Sequence, residues 1–309
     1  MSEVNAAQPA YICVGGIIVD DIVLPNGETR MEVLGGGVSH AAAGMTIWDV
    51  RPGIFASAGY DLPARARQRL ERDFDIQGVQ WLDLPQARAW QLFEWDGRRT
   101  EIFRVELAKP FLDMPGPDRL PASYRGAKGI YLLQDGDRVP PWRRAFPSAA
   151  LFWEPPQAYM VAENADEFRA TLPLVDIVSP NVLEASQIYG TDDPLALVLA
   201  MLDDGAHVVA LRRGAEGSLL GMQGLEGAIA VPPVPVPEIV DQTGAGNTYC
   251  GAFLVGWCET HTVQRAGCYG AVAASFALEV TGVADPPPNK AEIRARRYRW
   301  VCEQLGVTL

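Results

Sequence analysis

Only three histidines occur in the 309 residues, no Cys-x-x-Cys pair is present, and no His/Cys cluster stands at zinc-ligand spacing. Finger-type zinc is thereby excluded as an organising element. The cysteines Cys13, Cys250, Cys258, Cys268 and Cys302 are odd in number and read as buried, reduced thiols, so the expected location is cytoplasmic. No apolar run approaches the roughly 18 residues a bilayer span needs, and the opening MSEVNAAQPA is polar, without the apolar core of a secretory signal. Positive charge is scarce as well. Lys and Arg number 26 against 38 Asp and Glu, a net charge of −12, which argues against nucleic acid and anionic membrane as partners. The basic run Arg294, Arg296, Arg297 and Arg299 then reads as a solvated helix face. There is no Walker A loop, no internal repeat and no low-complexity segment. What remains is a chain of 48% hydrophobic residues, typical of a globular protein with a sizeable core.

Short β-rich runs alternate with helical patterns. Tyr11–Val14, Gly53–Ser57, Gly129–Leu133, Ala150–Trp153, Asp176–Ser179 and His207–Leu211 read as buried parallel strands. Helices are expected near Val38–Asp49, Pro63–Phe74, Ala165–Leu172, Val182–Tyr189 and Leu195–Asp203, and again at Ala245–Cys258, Gln264–Leu278 and Lys290–Leu305. This alternation implies a doubly wound, three-layer α/β/α sheet within a single domain, residues 1–309. Two stretches break it. Asn26-Gly27 and Asp96-Gly97 each sit between β-like runs, so the segments at about 17–34 and 88–105 read as hairpins of a separate small sheet. Surface hairpins and a lid over a site are both open at this point. The run Val231-Pro-Pro-Val-Pro-Val-Pro237 reads as an extended edge connection leading to Asp241.

Asp241-Gln-Thr-Gly-Ala-Gly-Asn247 carries the most information. Small residues open an apolar helix, so unpaired backbone N–H groups and the positive end of the helix dipole meet there. Such a spot suits a phosphate or another anion. The segment resembles the Asp-Thr-x-Gly-Ala-Gly-Asp signature of the ribokinase-like (PfkB) carbohydrate kinases. Other segments fall in that family's order. They are Gly15 with Asp20, Gly35-Gly36-Gly37-Val38-Ser39-His40-Ala41-Ala42, Gly59 with Asp61, Ser179-Pro180-Asn181-Val182-Leu183-Glu184, and Arg212-Arg213-Gly214-Ala215-Glu216-Gly217-Ser218. Each alone is weak; the ordered set, from residue 11 to about 283, is specific. Trp153-Glu154-Pro155, Ser-Pro-Asn and Gly-Ala-Gly-Asn together resemble a divergent branch that includes fungal killer-maintenance proteins.

The resemblance implies a ribokinase-like fold with a β-lid, and an ATP-dependent kinase of a sugar, nucleoside or similar polyol. It implies an anion hole at Gly244, Ala245 and Gly246, and substrate contacts from Asp20, Gly35, Gly36 and His40. It places ATP against Asn181, Arg212, Gly214 and Gly217, Mg²⁺ near Glu184 and Asn181 through water, and a monovalent cation near Asp241. A homodimer through the lids is also expected. Bland readings stand beside these. Asn181 and Glu184 fit a helix cap with an acidic first turn. Asp20 fits a turn, and His40 fits a satisfied structural residue. The family's proton-accepting Asp is Asn247 here, and an amide is no general base at neutral pH. Asn247 could simply cap its helix, with Asp20 or Glu154 as replacement base. Two function classes follow: a kinase, slowed by its base position, or a catalytically impaired protein that binds nucleotide or metabolite.

Overall fold

A computed structural model of the chain describes residues 8–95, 99–104, 111 and 116–308. Its strands are β1 (Tyr11–Val14), β2 (Ile18–Val23), β3 (Thr29–Gly35), β4 (Gly53–Gly59), β5 (Asp75–Leu82), β6 (Arg88–Phe93), β7 (Arg99–Phe103), β8 (Gly129–Leu132), β9 (Ala150–Trp153), β10 (Ile177–Val178), β11 (Val208–Arg212), β12 (Ser218–Met222) and β13 (Ile229–Val231). Among the described residues the α-helices are α1 (Gly37–Ile47), α2 (Ala64–Asp73), α3 (Val139–Ala145), α4 (Ala165–Thr171), α5 (Val182–Tyr189), α6 (Pro194–Asp203), α7 (Ala245–Thr260), α8 (Val263–Ala277) and α9 (Lys290–Gln304).

The main sheet runs β13-β12-β11-β10-β9-β8-β1-β4-β5. Its strands from β11 to β5 are mutually parallel. Strand β1 is wholly buried, and its side chains alternate between two apolar cores. Cys13 joins the cluster beneath α1, α7 and α8; Ile12 and Val14 join the cluster with Trp142, Phe168 and Leu197 on the other face. Burial on both faces is why such strands read as continuous apolar runs, and the three-layer α/β/α arrangement follows from it.

Part of the sheet lies beyond the six strands expected from the sequence, all of which are parallel. Strands β12 and β13 pair antiparallel at one edge, so the sheet is mixed. Strand β5 forms the other edge, where exposed residues such as Gln77 and Trp81 interrupt the apolar run that would have marked it. Helix α3 begins Val139-Pro140-Pro141. Prolines look like breakers there, but the first turn of a helix needs no N–H donors.

A second, smaller sheet has the order β3-β2-β6-β7. Its first hairpin turns at Asn26-Gly27, with Gly27 at φ 84° and Asn26 Oδ1 accepting from the Glu28 N–H at 3.0 Å. The other expected turn, Asp96-Gly97, lies outside the described residues. Helices α1 and α7 cross against each other with glycine at the contact. A Cβ at Gly44 would strike the Thr248 carbonyl, and one at Gly251 the Ala41 carbonyl. This close approach brings the mouths of the two helices together above the carboxyl ends of β1, β9, β10 and β11, where ligands of α/β sheets bind.

Candidate active site

At the mouth of α7, Gly244 occupies the N-cap position in the left-handed conformation, φ 70°, with no side chain capping the helix. A Cβ there would run into the His40 ring and one at Gly246 into the Arg212 guanidinium, so both positions demand glycine. The Ala245 N–H turns back to the Gln242 carbonyl at 3.3 Å. The N–H groups of Gly246 and Asn247 have no backbone acceptor among the described residues. They and the positive end of the helix dipole make a cradle suited to an anion.

Beneath the cradle lies a buried ionic cluster. Glu154 closes β9 and is 3% exposed. Its Oε1 receives Arg212 Nη1 at 2.7 Å and Asn247 Nδ2 at 3.0 Å, and its Oε2 accepts from the Tyr131 hydroxyl at 2.6 Å. Arg212 Nη2 donates to the Ser179 carbonyl at 2.9 Å and lies 3.3 Å from Glu184 Oε2. Burial works against the charge on Arg212, but its neighbours, Glu154 foremost and then Cys250 and Glu184, hold its pKa above the ordinary value. Burial pushes the Tyr131 hydroxyl well up, and Glu154 adds to it. Glu184 is pushed up by burial, opposed by Arg212 and the Asn181 N–H, and pushed further by Glu154.

Asn181 and Glu184 form a capping box on α5, each side chain bonding the other's backbone N–H at 2.8 Å. The helix-cap reading of this pair is therefore realised, whatever else Glu184 does. Its Oε1 accepts no bond from the described residues. Gly214 and Gly217 bracket the turn after β11, both at positive φ. Asp241 is buried, with its oxygens accepting the N–H groups of Thr243 at 2.8 Å and Gly282 at 3.1 Å, which ties two loops together.

The small sheet faces the same cleft. Asp20 lies within β2, not in a turn, and Gly35 packs so tightly on its carboxylate that any Cβ would collide. Gln91 Nε2 from β6 donates to Asp20 Oδ1 at 2.9 Å and to Glu101 Oε1 at 2.7 Å. The neighbouring Asp21 points to the opposite face, towards Arg88 and Arg104. Gly36, at φ 84°, turns the chain from β3 into α1, where His40 is buried. The predicted residues Asp20, Gly35, Gly36, His40, Arg212, Gly244, Gly246 and Asn247 thus share one region. Tyr131, Gln91 and Glu101 carry no motif and were invisible in the sequence. Charged residues closing apolar runs, Arg212 after Val208-Val-Ala-Leu and Glu154 after Ala150-Leu-Phe-Trp, are the signals that the cluster beneath the cradle offered.

Residues 156–290 match the family described as pfkB family carbohydrate kinase. That match spans the second half of the chain, from just past the end of β9 to the start of α9. Among curated proteins, the chain is similar to the cytidine kinase of Thermococcus kodakarensis, 24% identical over 278 residues, covering 88% of this chain and 96% of that one. Among solved structures it is similar to the nucleoside kinase of Methanocaldococcus jannaschii, with TM-score 0.74, 18% identity, and coverage of 94% of this chain and all of that one. The ribokinase of Arabidopsis thaliana, complexed with ribose and ATP, superposes with TM-score 0.73 at 20% identity, covering 94% of this chain and 99% of that one. These likenesses show the ribokinase-like fold. No helix among the described residues is long and apolar enough to cross a membrane.

Proposed function

We propose that the protein is an ATP-dependent phosphotransferase acting on a hydroxyl of a sugar, nucleoside or similar polyol, with turnover slowed by Asn247 at the base position. The observation that carries this reading is the α7 mouth. An uncapped helix N-terminus, glycine-only at two positions, opens beside the mostly covered Arg212 and across from a carboxylate on the small sheet. The helix mouth at Gly244, Ala245 and Gly246, whose open donors are the N–H groups of Gly246 and Asn247, takes the terminal phosphates, and Gly214 to Gly217 with Arg212 and Asn181 line the nucleotide side. Asp20, Gly35, Gly36 and His40 line the acceptor side. Asp20 offers hydrogen-bond acceptors, which suits the hydroxyls of a polyol. The small sheet acts as the lid over that acceptor. A purely binding role, the second reading of the sequence, draws no support from relatives bearing the names of kinases.

Mg²⁺ fits beside Glu184 through water. One free carboxylate oxygen cannot complete its shell, and the ion retains much of its hydration. Bound there, it would neutralise charge on the phosphates. For a monovalent cation near Asp241 the fit is poorer, since that carboxylate already accepts two backbone N–H groups.

Calorimetry with ATP or ADP plus Mg²⁺, followed by a phosphoryl-transfer assay over nucleosides and sugars, tests the reading. Nucleotide binding with slow, acceptor-dependent ADP release is the expected result. Absence of nucleotide binding in the presence of Mg²⁺ sinks it.

A further inference from the structure

Asn247 takes up no proton at neutral pH, yet its amide is held in one orientation. Nδ2 lies 3.0 Å from Glu154 Oε1 and 3.4 Å from the Tyr131 hydroxyl. Glu154, itself only 3% exposed, cannot turn away, because Arg212 and Tyr131 occupy its two oxygens at 2.7 and 2.6 Å. Rotating the amide by half a turn would set Oδ1 against a carboxylate oxygen, acceptor against acceptor, and forfeit a charge-assisted hydrogen bond. With Nδ2 committed inward, Oδ1 is the atom left for the cleft, and it accepts no bond from the described residues.

We infer that Glu154 is a positioning residue, which locks the Asn247 amide so that Oδ1 orients the acceptor hydroxyl while the hydroxyl proton leaves on the transferred phosphoryl group. This rests on the kinase reading. The hydroxyl oxygen forms the new bond to the γ-phosphorus. The bond from that phosphorus to the bridging oxygen breaks, its electron pair going to the nucleoside diphosphate. The hydroxyl proton passes to a non-bridging oxygen of the phosphoryl group, and the phosphomonoester later releases it to water. A loose transition state tolerates this order, since the attacking oxygen bears little new charge early on. Glu154 does not serve as the base here, because both its oxygens are already claimed by donors.

The test is a cycle of four proteins: wild type, Asn247→Asp, Glu154→Gln and the double variant. Tyr131, Glu184, Arg212 and Cys250 are the titratable or charged groups facing the pair, with His40 on α1 beside Gly244. Each protein is measured for denaturant stability, Mg·ATP binding and the pH dependence of phosphoryl transfer. Asn247→Asp sets two carboxylates face to face, so it is less stable than wild type and recovers as pH falls. Glu154→Gln frees the amide to flip, lowering kcat by about 10-fold with the KM for nucleotide little changed, as misorientation does. The double variant restores a carboxylate–amide pair with the carboxylate moved to the base position. It is more stable than Asn247→Asp and faster than Glu154→Gln, and it gains an acid limb that wild type lacks. A wild-type acid limb that vanishes in Glu154→Gln would make Glu154 the base itself and overturn the inference. Strictly additive stabilities overturn the lock. If none of the four turns over any acceptor, the kinase reading fails, and the stability cycle alone then judges the lock: coupling supports it and additivity overturns it.

Discussion

Replacing Arg212 with methionine keeps the apolar stem and removes the charge that two carboxylates share. In the structure the guanidinium neutralises Glu154 at 2.7 Å and Glu184 at 3.3 Å, with side-chain exposures of 13% for Arg212, 4% for Glu154 and 10% for Glu184. Breaking a buried pair by deleting one partner leaves an uncompensated charge and typically costs about 3–5 kcal/mol. Here a single deletion strands two carboxylates, so the upper half of that range is expected. For a chain of this size, at about 2 °C per kcal/mol, Tm falls by roughly 8–10 °C.

The pH dependence gives the sharper check. Burial already holds the Glu184 carboxyl above its ordinary value, opposed by Arg212. Without the arginine it rises further. A carboxyl raised in the folded state adds stability below its unfolded pKa and loses it as pH climbs through the folded one. The deficit of Arg212→Met is therefore full at pH 8 and smaller at pH 5. Thermal melts of both proteins between those limits are the assay. A variant within 2 °C of wild type at pH 8, by the scale used above, or a deficit that does not shrink towards pH 5, refutes the account of the cluster. Calorimetry on the same protein should show Mg·ATP affinity down by about 10–100-fold, the worth of one charge-assisted hydrogen bond.

On the acceptor side, Asp20→Asn should lower kcat/KM for the acceptor by about 10–100-fold through loss of charged hydrogen bonds, leaving nucleotide binding nearly unchanged; equal loss on both ligands would contradict a role confined to the acceptor. Gly246→Ala should weaken nucleotide binding and displace Arg212, because its Cβ has no room beside the guanidinium; undiminished affinity by calorimetry would count against the cradle. Met31, Ile102 and Phe103 are exposed on β3 and β7, the edges of the small sheet. Light scattering at micromolar concentration should therefore give twice 33.6 kDa, and a monomer mass removes the lid-to-lid dimer.

Three strands of the main sheet that were legible in the sequence share a physical trait: burial along almost their whole length. Strands β1, β8 and β9 are covered on both faces and appear as unbroken apolar runs. The edge strands β5 and β13 mix exposed and buried positions and leave no such trace. The same divide governs the site. Gly244, Gly246 and Asn247 lie within one helix mouth, so local spacing exposes them. Glu154 stands out beside Pro155 at a strand end, which made it a candidate base. Its actual partners are set by topology: Asn247 is 93 residues away in the chain, and Tyr131 is 116 residues from Asn247. Parallel pairing of β8 with β9 and of β9 with β10 brings these ends together, and no local pattern encodes that.

That long-range assembly changes how the asparagine is understood. Read locally, Asn247 is a lost base, and restoring aspartate should restore rate by a hundredfold or more. Within the folded cluster, Glu154 and Glu184 already set two negative charges against one arginine. A third carboxylate 3.0 Å from the first would meet like charge in a buried setting, where one of such a pair is forced to bind a proton. The dipole of α7 favours the new charge by at most about 2 kcal/mol, which does not offset a buried like-charge contact. The amide is thus matched to Glu154, and the single change Asn247→Asp should yield little of the gain that a local reading promises. The gain should appear only when Glu154 is made neutral in the same protein.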